Sequence, residues 1–356
     1  MTDDPVLQAI DATVEALRSR SNAHWIIAFS GGKDSSAALK IFFSAYKISR
    51  LKIENITIIY CDTGVENPVL DFYVKSVLNK MKHEFENEGI LVEIKLLKAP
   101  PEDRFFVRLI GRGYPPPTNS FRWCTTGLRI RPVSRYIASQ NPEDTVVILG
   151  LRRAESQQRD RSMARSPEPQ WQKQREGRGE YDLFLPILNL SVSEVWDAVF
   201  ALSRPRSIMP QSLETLYRDA SGECPVIKAP QAPPCASGRF GCWTCTVVRK
   251  DKSAAELINS GYPELQPYLT FRNWLTEIRN DPARRWPRRR SGAEGMGPLT
   301  LEARKEILHR VDELEERTRS LIIDSDERGL IASLWRIDHM PRIYYPSQKS
   351  KPQAKS

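Results

Sequence analysis

No stretch of the chain approaches the roughly 18 consecutive apolar residues that a membrane-crossing helix requires, so no membrane partner is expected. The first residues, MTDDPVLQ, are acidic and lack the basic-then-apolar order of a secretory signal. A soluble, cytoplasmic protein is expected. Histidine is scarce. The four present, at 24, 83, 309 and 339, form no pair at helical spacing, so a histidine-built metal centre is not expected. No internal repeat is found, which sets aside a stacked-repeat architecture.

The 356 residues, 40% hydrophobic and 27% charged, suit a large domain with one or two appendages and a sizeable core rather than global disorder. Lys and Arg number 53 against 44 Asp and Glu, a net charge of +9. Such an excess favours a polyanionic partner, nucleic acid or nucleotide. Six cysteines stand at 61, 124, 224, 235, 242 and 245, the last four within 22 residues. In a cytoplasmic chain that clustering reads as metal or redox chemistry rather than structural disulfides.

Apolar positions Val6, Leu7, Ile10, Val14 and Leu17 recur at helical spacing behind Pro5. The apolar run Trp25–Phe29 leads through a Ser-Gly-Gly turn into a helical composition over Ala37–Tyr46. Ile56–Tyr60, Leu91–Leu97 and Val146–Leu149 read as further strands, the first followed by a long amphipathic helix to about residue 87. Strands alternating with helices predict an α/β fold with a doubly wound parallel sheet. Ser191-Val-Ser-Glu194 predicts a capping box for a helix over Val192–Leu202. Residues 152–180, rich in Arg, Gln and Ser, read as a mobile basic loop. From about residue 203 the chain turns rich in Pro, Cys and aromatics with little periodicity, as a module folding around a metal would. The expected organisation is an N-terminal helix (1–20), an α/β domain (21–202), a Cys-rich module (203–295), a C-terminal helical segment (296–346) with a charged helix over 299–320, and a disordered tail (347–356).

Ser30-Gly31-Gly32-Lys33-Asp34-Ser35-Ser36 lies just after a strand and just before a helix. There the backbone amides and the positive helix end can cradle phosphate, and glycine lets the backbone approach the anion closely. Lys33 adds a point charge, and Ser30 and Ser35 add hydroxyl donors. It is not a Walker loop, because G-x-x-x-x-G-K-[ST] is absent.

The loop resembles the pyrophosphate loop (PP-loop) of the ATP-pyrophosphatase superfamily, whose members cleave ATP between the α and β phosphates and adenylylate a substrate. Three further segments resemble motifs of its phosphoadenosine-phosphosulfate (PAPS) reductase branch, in that branch's order. They are Asp62-Thr63-Gly64-Val65-Glu66-Asn67-Pro68, Arg122-Trp123-Cys124-Thr125-Thr126-Gly127-Leu128-Arg129, and Gly150-Leu-Arg152-Arg153-Ala-Glu155-Ser156 with Arg159. The resemblance implies an adenine nucleotide alpha-hydrolase-like fold. It also implies an ATP site over Ser30 to Ser36, Asp62, Thr63, Glu66, Gly150, Arg152, Arg153, Glu155 and Arg159, with Lys33, Asp34, Arg152 and Cys124 as catalytic candidates. Read physically, Asp62 and Glu66 can orient a ribose or Mg²⁺, or simply cap a strand end. Arg152, Arg153 and Arg159 can hold phosphates bidentately or belong to a solvated basic loop. Cys61 departs from the motif and reads as a small buried residue.

Cys224, Cys235, Cys242 and Cys245 have the spacing C-x10-C-x6-C-x2-C. Four thiolates so close suit Zn²⁺ or an iron–sulfur cluster, and ligand count does not separate the two. Glu223-Cys-Pro-Val and Cys235-Ala-Ser-Gly-Arg-Phe-Gly-Cys242-Trp-Thr-Cys245-Thr-Val-Val, with Gly297-Pro-Leu-Thr-Leu-Glu-Ala-Arg-Lys, closely resemble one subgroup. It comprises the DndC- and SspD-type ATP pyrophosphatases of DNA phosphorothioation. That resemblance implies a [4Fe–4S] cluster, DNA as partner, a cysteine desulfurase as sulfur donor, and companion DNA-sulfur-modification proteins. Cys124 is read three ways: cluster ligand, persulfide carrier or buried thiol. A local four-Cys site is favoured over one that includes Cys124, because closing a short loop costs less entropy.

Arg284-Arg285-Trp286-Pro287-Arg288-Arg289-Arg290 is the densest charge run and suits contact with DNA phosphates plus base stacking, or else a solvated linker. The expected function is ATP-dependent adenylylation of a DNA backbone phosphate followed by replacement of a non-bridging oxygen by sulfur. Two rivals are weighed. A PAPS or adenylyl-sulfate reductase fits less well, since no cysteine follows residue 245. A zinc-stabilised nucleic-acid-binding adaptor that only senses ATP is the other.

Overall fold

The computed structural model describes residues 3–153, 169–176, 179–221 and 240–339. Asp4 starts the first helix, α1 (Pro5–Ser19), by accepting from the amides of Val6 and Leu7, while Pro5 presets the first helical φ. The apolar runs form strands: β1 (His24–Ala28), β2 (Ile56–Asp62) and, further along, β4 (Thr145–Ile148). β3 (Glu93–Lys98) starts two residues later than its apolar run, because pairing with β2 begins at Thr57 and Glu93 and leaves Leu91 exposed.

Among the described residues five strands are parallel and lie in the order β3-β2-β1-β4-β6, the last being Gly179–Phe184. The chain runs outward from β1 through β2 to β3 and then returns to β4 on the other side of β1. The strand order therefore reverses beside β1, at the crevice where open α/β sheets bind ligands. α2 (Lys33–Ser49) and α3 (Pro68–Glu88) follow β1 and β2. α2 begins four residues before the expected Ala37, since Lys33 to Ser36 form its first turn. A short helical segment from Trp123, with a π-turn over Thr126–Ile130, continues into α4 (Arg131–Ala138) ahead of β4.

Residues 152–180 are not all loop. Their described part holds β5 (Trp171–Glu176), which pairs antiparallel with β6 (Gly179–Phe184) and forms the sheet edge. Few apolar residues are needed there: the Trp171 ring packs 4.8 Å from Phe184, while Gln172, Lys173 and Gln174 suit a strand open on one side. The expected capping box forms, with Ser191 and Glu194 exchanging hydrogen bonds at the start of α5 (Val192–Ala201). Residues 210–278, read as having little periodicity, contain α6 (Pro210–Ser221), α7 (Lys252–Asn259) and α8 (Gln266–Ile278).

The chain divides into two compact units, residues 1–99 with 117–276, and residues 100–116 with 277–356. In the first, Trp25, Ile26 and Ile27 are fully buried, with Phe42 and Phe184 rings 5.8 and 6.5 Å from Trp25. In the second, Phe105 to Ile110 form an apolar segment held by α9 (Leu301–Thr318) and α10 (Ser325–His339). Arg304 donates to Gly111 O at 2.8 Å, and Trp335 Nε1 to Ile110 O at 2.9 Å. No helix among the described residues is long and apolar enough to cross a membrane.

Candidate nucleotide site

The loop after β1 is shaped by its glycines. Gly31 sits at φ +75°, and a Cβ there would lie 2.1 Å from Val74 Cγ2, so only glycine fits. Ser35 ties the loop together: its hydroxyl accepts from Ser30 N at 3.2 Å and donates to Gly32 O at 2.9 Å. The Ser36 hydroxyl is buried and finds no partner among the described residues. Gly150, just beyond β4, presses on the same turn, where a Cβ would stand 2.7 Å from the Asp34 carbonyl. The residues that leave β1 and β4 at the reversal point thus meet.

Their charges meet as well. Lys33 Nζ lies 2.6 Å from one oxygen of Asp34, and Arg152 Nε donates to the other at 2.5 Å. One carboxylate faces two largely buried cations. The balance at the loop is positive, which suits an anionic ligand.

A cavity of about 400 Å³ opens beside this turn, lined among others by Ser30, Asp34, Glu66, Arg129, Tyr217 and Phe240. Glu66 takes a hydrogen bond from Thr63 Oγ1 at 3.0 Å and an ion pair from Arg129 at 2.8 Å. Burial keeps its carboxyl above the usual range against the pull of Arg129. Asp62 faces elsewhere. It accepts from Gly64 N at 3.0 Å and pairs with Lys75 and Lys98 at 3.4 and 3.3 Å. Burial pushes Asp62 up, but Lys75, the Gly64 amide and Lys98 together hold it below the ordinary carboxylate range. Arg153 is exposed, with its amide on Leu188 O. Glu155 and Arg159 lie outside the described residues.

Two of the four described thiols, Cys61 and Cys242, stand by Arg129. Cys242 bridges to Glu66 through the backbone, and Trp243 N donates to Val65 O, which lays the C-x-x-C turn on the loop after β2. The Cys242 thiol lies 3.6 Å from Arg129 Nη2 and 3.9 Å from Thr63 Oγ1, and burial pushes its pKa up to about 12. Cys61 donates to Leu128 O at 3.0 Å and is likewise pushed up, to about 11. Burial raises the Cys124 thiol, and the charge of Cys245 adds to the rise. The turn itself is clamped from α8, where the buried Arg272 donates to Cys245 O at 2.8 Å and Arg249 O at 3.1 Å. Among the described residues no group of three or more His, Cys, Asp or Glu is gathered to hold a metal ion. Cys224 and Cys235 lie outside them.

In the second unit the basic run splits by role. Arg284 pairs with Glu306 at 3.0 Å, and Arg285 donates to Gly297 O and Arg279 O at 2.6 and 2.8 Å. Arg290 donates to Arg112 O and lies 5.5 Å over the Tyr114 ring. Arg288 and Arg289 are exposed.

Sequence reasoning missed Tyr217 and Phe240 and gave Arg129 no role. Arg129 stands inside a recognised motif and so carried a signal. Tyr217 has none, being 184 residues from the loop it touches.

An uncharacterized protein of Methanocaldococcus jannaschii is 26% identical over 131 residues, 37% of this chain and 23% of that protein. The matched part thus spans about a quarter of that relative's length. Among solved structures, the Candida auris phosphoadenylyl-sulfate reductase in a phosphate complex is similar at 12% identity and TM-score 0.36, covering 61% of this chain and 93% of that one. Candida glabrata FMN adenylyltransferase with FAD and inorganic pyrophosphate is similar at 13% identity and TM-score 0.36, covering 63% and 67%. The phosphoadenosine phosphosulfate reductase domain matches residues 24–247, the span from β1 to just past the C-x-x-C turn. With that span covering more than half of the sequence, the chain belongs to the phosphoadenosine phosphosulfate reductase domain family.

Proposed function

We propose that this protein is an ATP pyrophosphatase of DNA sulfur modification. One observation carries the reading: Cys242, in the C-x-x-C turn, bridges through the backbone to Glu66, a residue that lines the cavity beside the glycine-rich loop. A candidate nucleotide site and a pair of thiols are then neighbours. ATP would enter as its Mg²⁺ complex, with the β and γ phosphates against Ser30 to Ser36. Lys33 and Arg152, preorganised on Asp34, would stabilise the charge that develops on departing pyrophosphate. A DNA phosphate oxygen attacks the α phosphorus, giving a DNA–AMP anhydride. Sulfur carried as a persulfide on Cys124, supplied by a cysteine desulfurase, then attacks the DNA phosphorus and AMP leaves. An external thiol cleaves the remaining S–S bond and frees the phosphorothioate.

Thiolate donors are the chemistry an iron–sulfur cluster takes. Cys224, Cys235, Cys242 and Cys245 would hold it, with Cys124 as the rival ligand beside Cys245. When bound, such a cluster supplies redox or sulfur-donor chemistry. Exposed Arg288 and Arg289 are the proposed DNA-phosphate contacts.

The test is made on anaerobically purified protein, with iron and labile sulfide measured first. Pyrophosphate release is then followed with ATP and DNA, and the DNA is digested and searched for phosphorothioate dinucleotides. Release of pyrophosphate with sulfur incorporation is expected. The family match favours a second reading, reduction of PAPS or adenylyl sulfate; sulfite production from either nucleotide, without pyrophosphate release from ATP, would select it.

A further inference from the structure

Tyr217, on α6, touches the glycine-rich loop in two ways. Its hydroxyl accepts the Lys33 N–H at 3.1 Å, and Lys33 Nζ lies 5.8 Å from its ring centre. The hydroxyl thereby caps α2, which has no side-chain cap of its own at Gly32. Gly32 makes the approach possible, since a Cβ there would stand 3.1 Å from the Tyr217 oxygen. The ring is fixed edge-on from two sides, by Trp196 at 5.4 Å and Phe240 at 5.3 Å. Burial raises the phenol above its ordinary range, so the O–H stays intact at neutral pH.

A phenol holds one proton and can accept as well. Lys33 N–H uses the acceptor side. The proton has no acceptor among the described residues, and Tyr217 lines the same cavity as Ser30, Gly32 and Ser35. We propose that Tyr217 is a nucleotide-contacting residue: its hydroxyl accepts from Lys33 N–H and donates its proton to a phosphate oxygen of the bound nucleotide. This rests on the reading of the loop as a nucleotide site. It gives that site a donor delivered by α6, the helix that leads into the Cys-rich segment.

Tyr217→Phe tests it, because only the hydroxyl is lost and the ring packing remains. Binding of MgATP to wild type and variant is measured by calorimetry, with melting temperatures as the check on folding. Affinity is expected to fall about tenfold or more, as for loss of a hydrogen bond to a charged group. Equal or tighter binding would overturn the proposal. In that case the hydroxyl merely occupies the Lys33 amide and must leave before phosphate binds. If the Phe variant melts early, 3-fluorotyrosine at 217 is read instead. It keeps the ring's shape and strengthens the donor, so tighter binding supports the proposal and unchanged or weaker binding overturns it. Absence of MgATP binding by the wild type would bring down the nucleotide reading itself, and this inference with it.

Discussion

Lys33 and Arg152 divide one carboxylate between them, so each is already oriented before a phosphate arrives. Preorganised charge of this kind acts without reorganisation during the reaction, and removing one such group commonly costs about 3 kcal/mol, roughly a hundredfold in rate. Lys33→Ala is therefore expected to reduce pyrophosphate release about a hundredfold while the melting temperature stays near that of the wild type. Unchanged release from a folded variant would remove Lys33 from the chemistry. A second expectation concerns Cys61, whose thiol is raised from 9.0 to about 11, chiefly by burial. The unfolded chain releases that proton near pH 9 whereas the folded chain keeps it, so the folded state binds more protons and loses stability as pH rises. The contribution is complete below pH 9 and gone above about pH 11. Cys61→Ala is expected to flatten the decline across that window, as read by urea unfolding under reductant at successive pH values; parallel declines in both proteins would refute it.

Elements were legible where burial is two-sided. β1, β2 and β4 are continuous apolar runs because sheet and helices cover both faces, and the turn after β1 announces itself through Gly31 and Gly32. β5 was not legible: an edge strand needs only Trp171 as its anchor, and its polar residues read as loop. Interactions across long separations left no trace either. The C-x-x-C spacing places the Cys242 thiol near Cys245, and only the fold shows that it also reaches Glu66 and Arg129. The arginine run was legible as charge but not as division of labour. Arg284, Arg285 and Arg290 hold backbone carbonyls and a carboxylate elsewhere in the second unit; Arg288 and Arg289 do not bury their charge. Replacing Arg288 and Arg289 by Ala should therefore weaken DNA binding and lower the salt slope by up to about 1.8, at about 0.9 for each phosphate no longer neutralised, with stability preserved. Arg284→Ala should do the reverse, lowering the melting temperature with little change in slope. Fluorescence anisotropy over a salt series distinguishes them, and an unaltered slope in the double variant would make the run a linker.

At the scale of the molecule, the chain interrupts its α/β unit after β3 to place residues 100–116 with the C-terminal helices. Phe105, Phe106, Val107, Leu109 and Ile110 are each no more than 3% exposed, and both C-terminal helices, α9 and α10, pack against this segment. Gly111 marks the fit, since a Cβ there would fall 2.7 Å from Leu334 Cδ1. Polar atoms add to the dependence. Arg304 and Trp335 supply the donors for the carbonyls of Gly111 and Ile110, and a buried carbonyl left without a donor costs about 1–3 kcal/mol. The C-terminal helices are thus not a removable appendage. A chain ended at residue 276 would bare five large apolar side chains, each worth about 1.5–3 kcal/mol when buried, a loss comparable with the whole stability of an ordinary domain. Such a truncation is expected to be insoluble or to bind a hydrophobic dye without a cooperative melt. The discriminating comparison adds Arg104→Ala to the full chain. That change removes an ion pair with Asp324 at 2.6 Å inside the same unit while leaving the apolar packing, so it should cost far less than the truncation. If the 1–276 chain instead melts cooperatively at the wild-type temperature, the segment 100–116 folds without its C-terminal partners and the dependence argued from its burial is wrong.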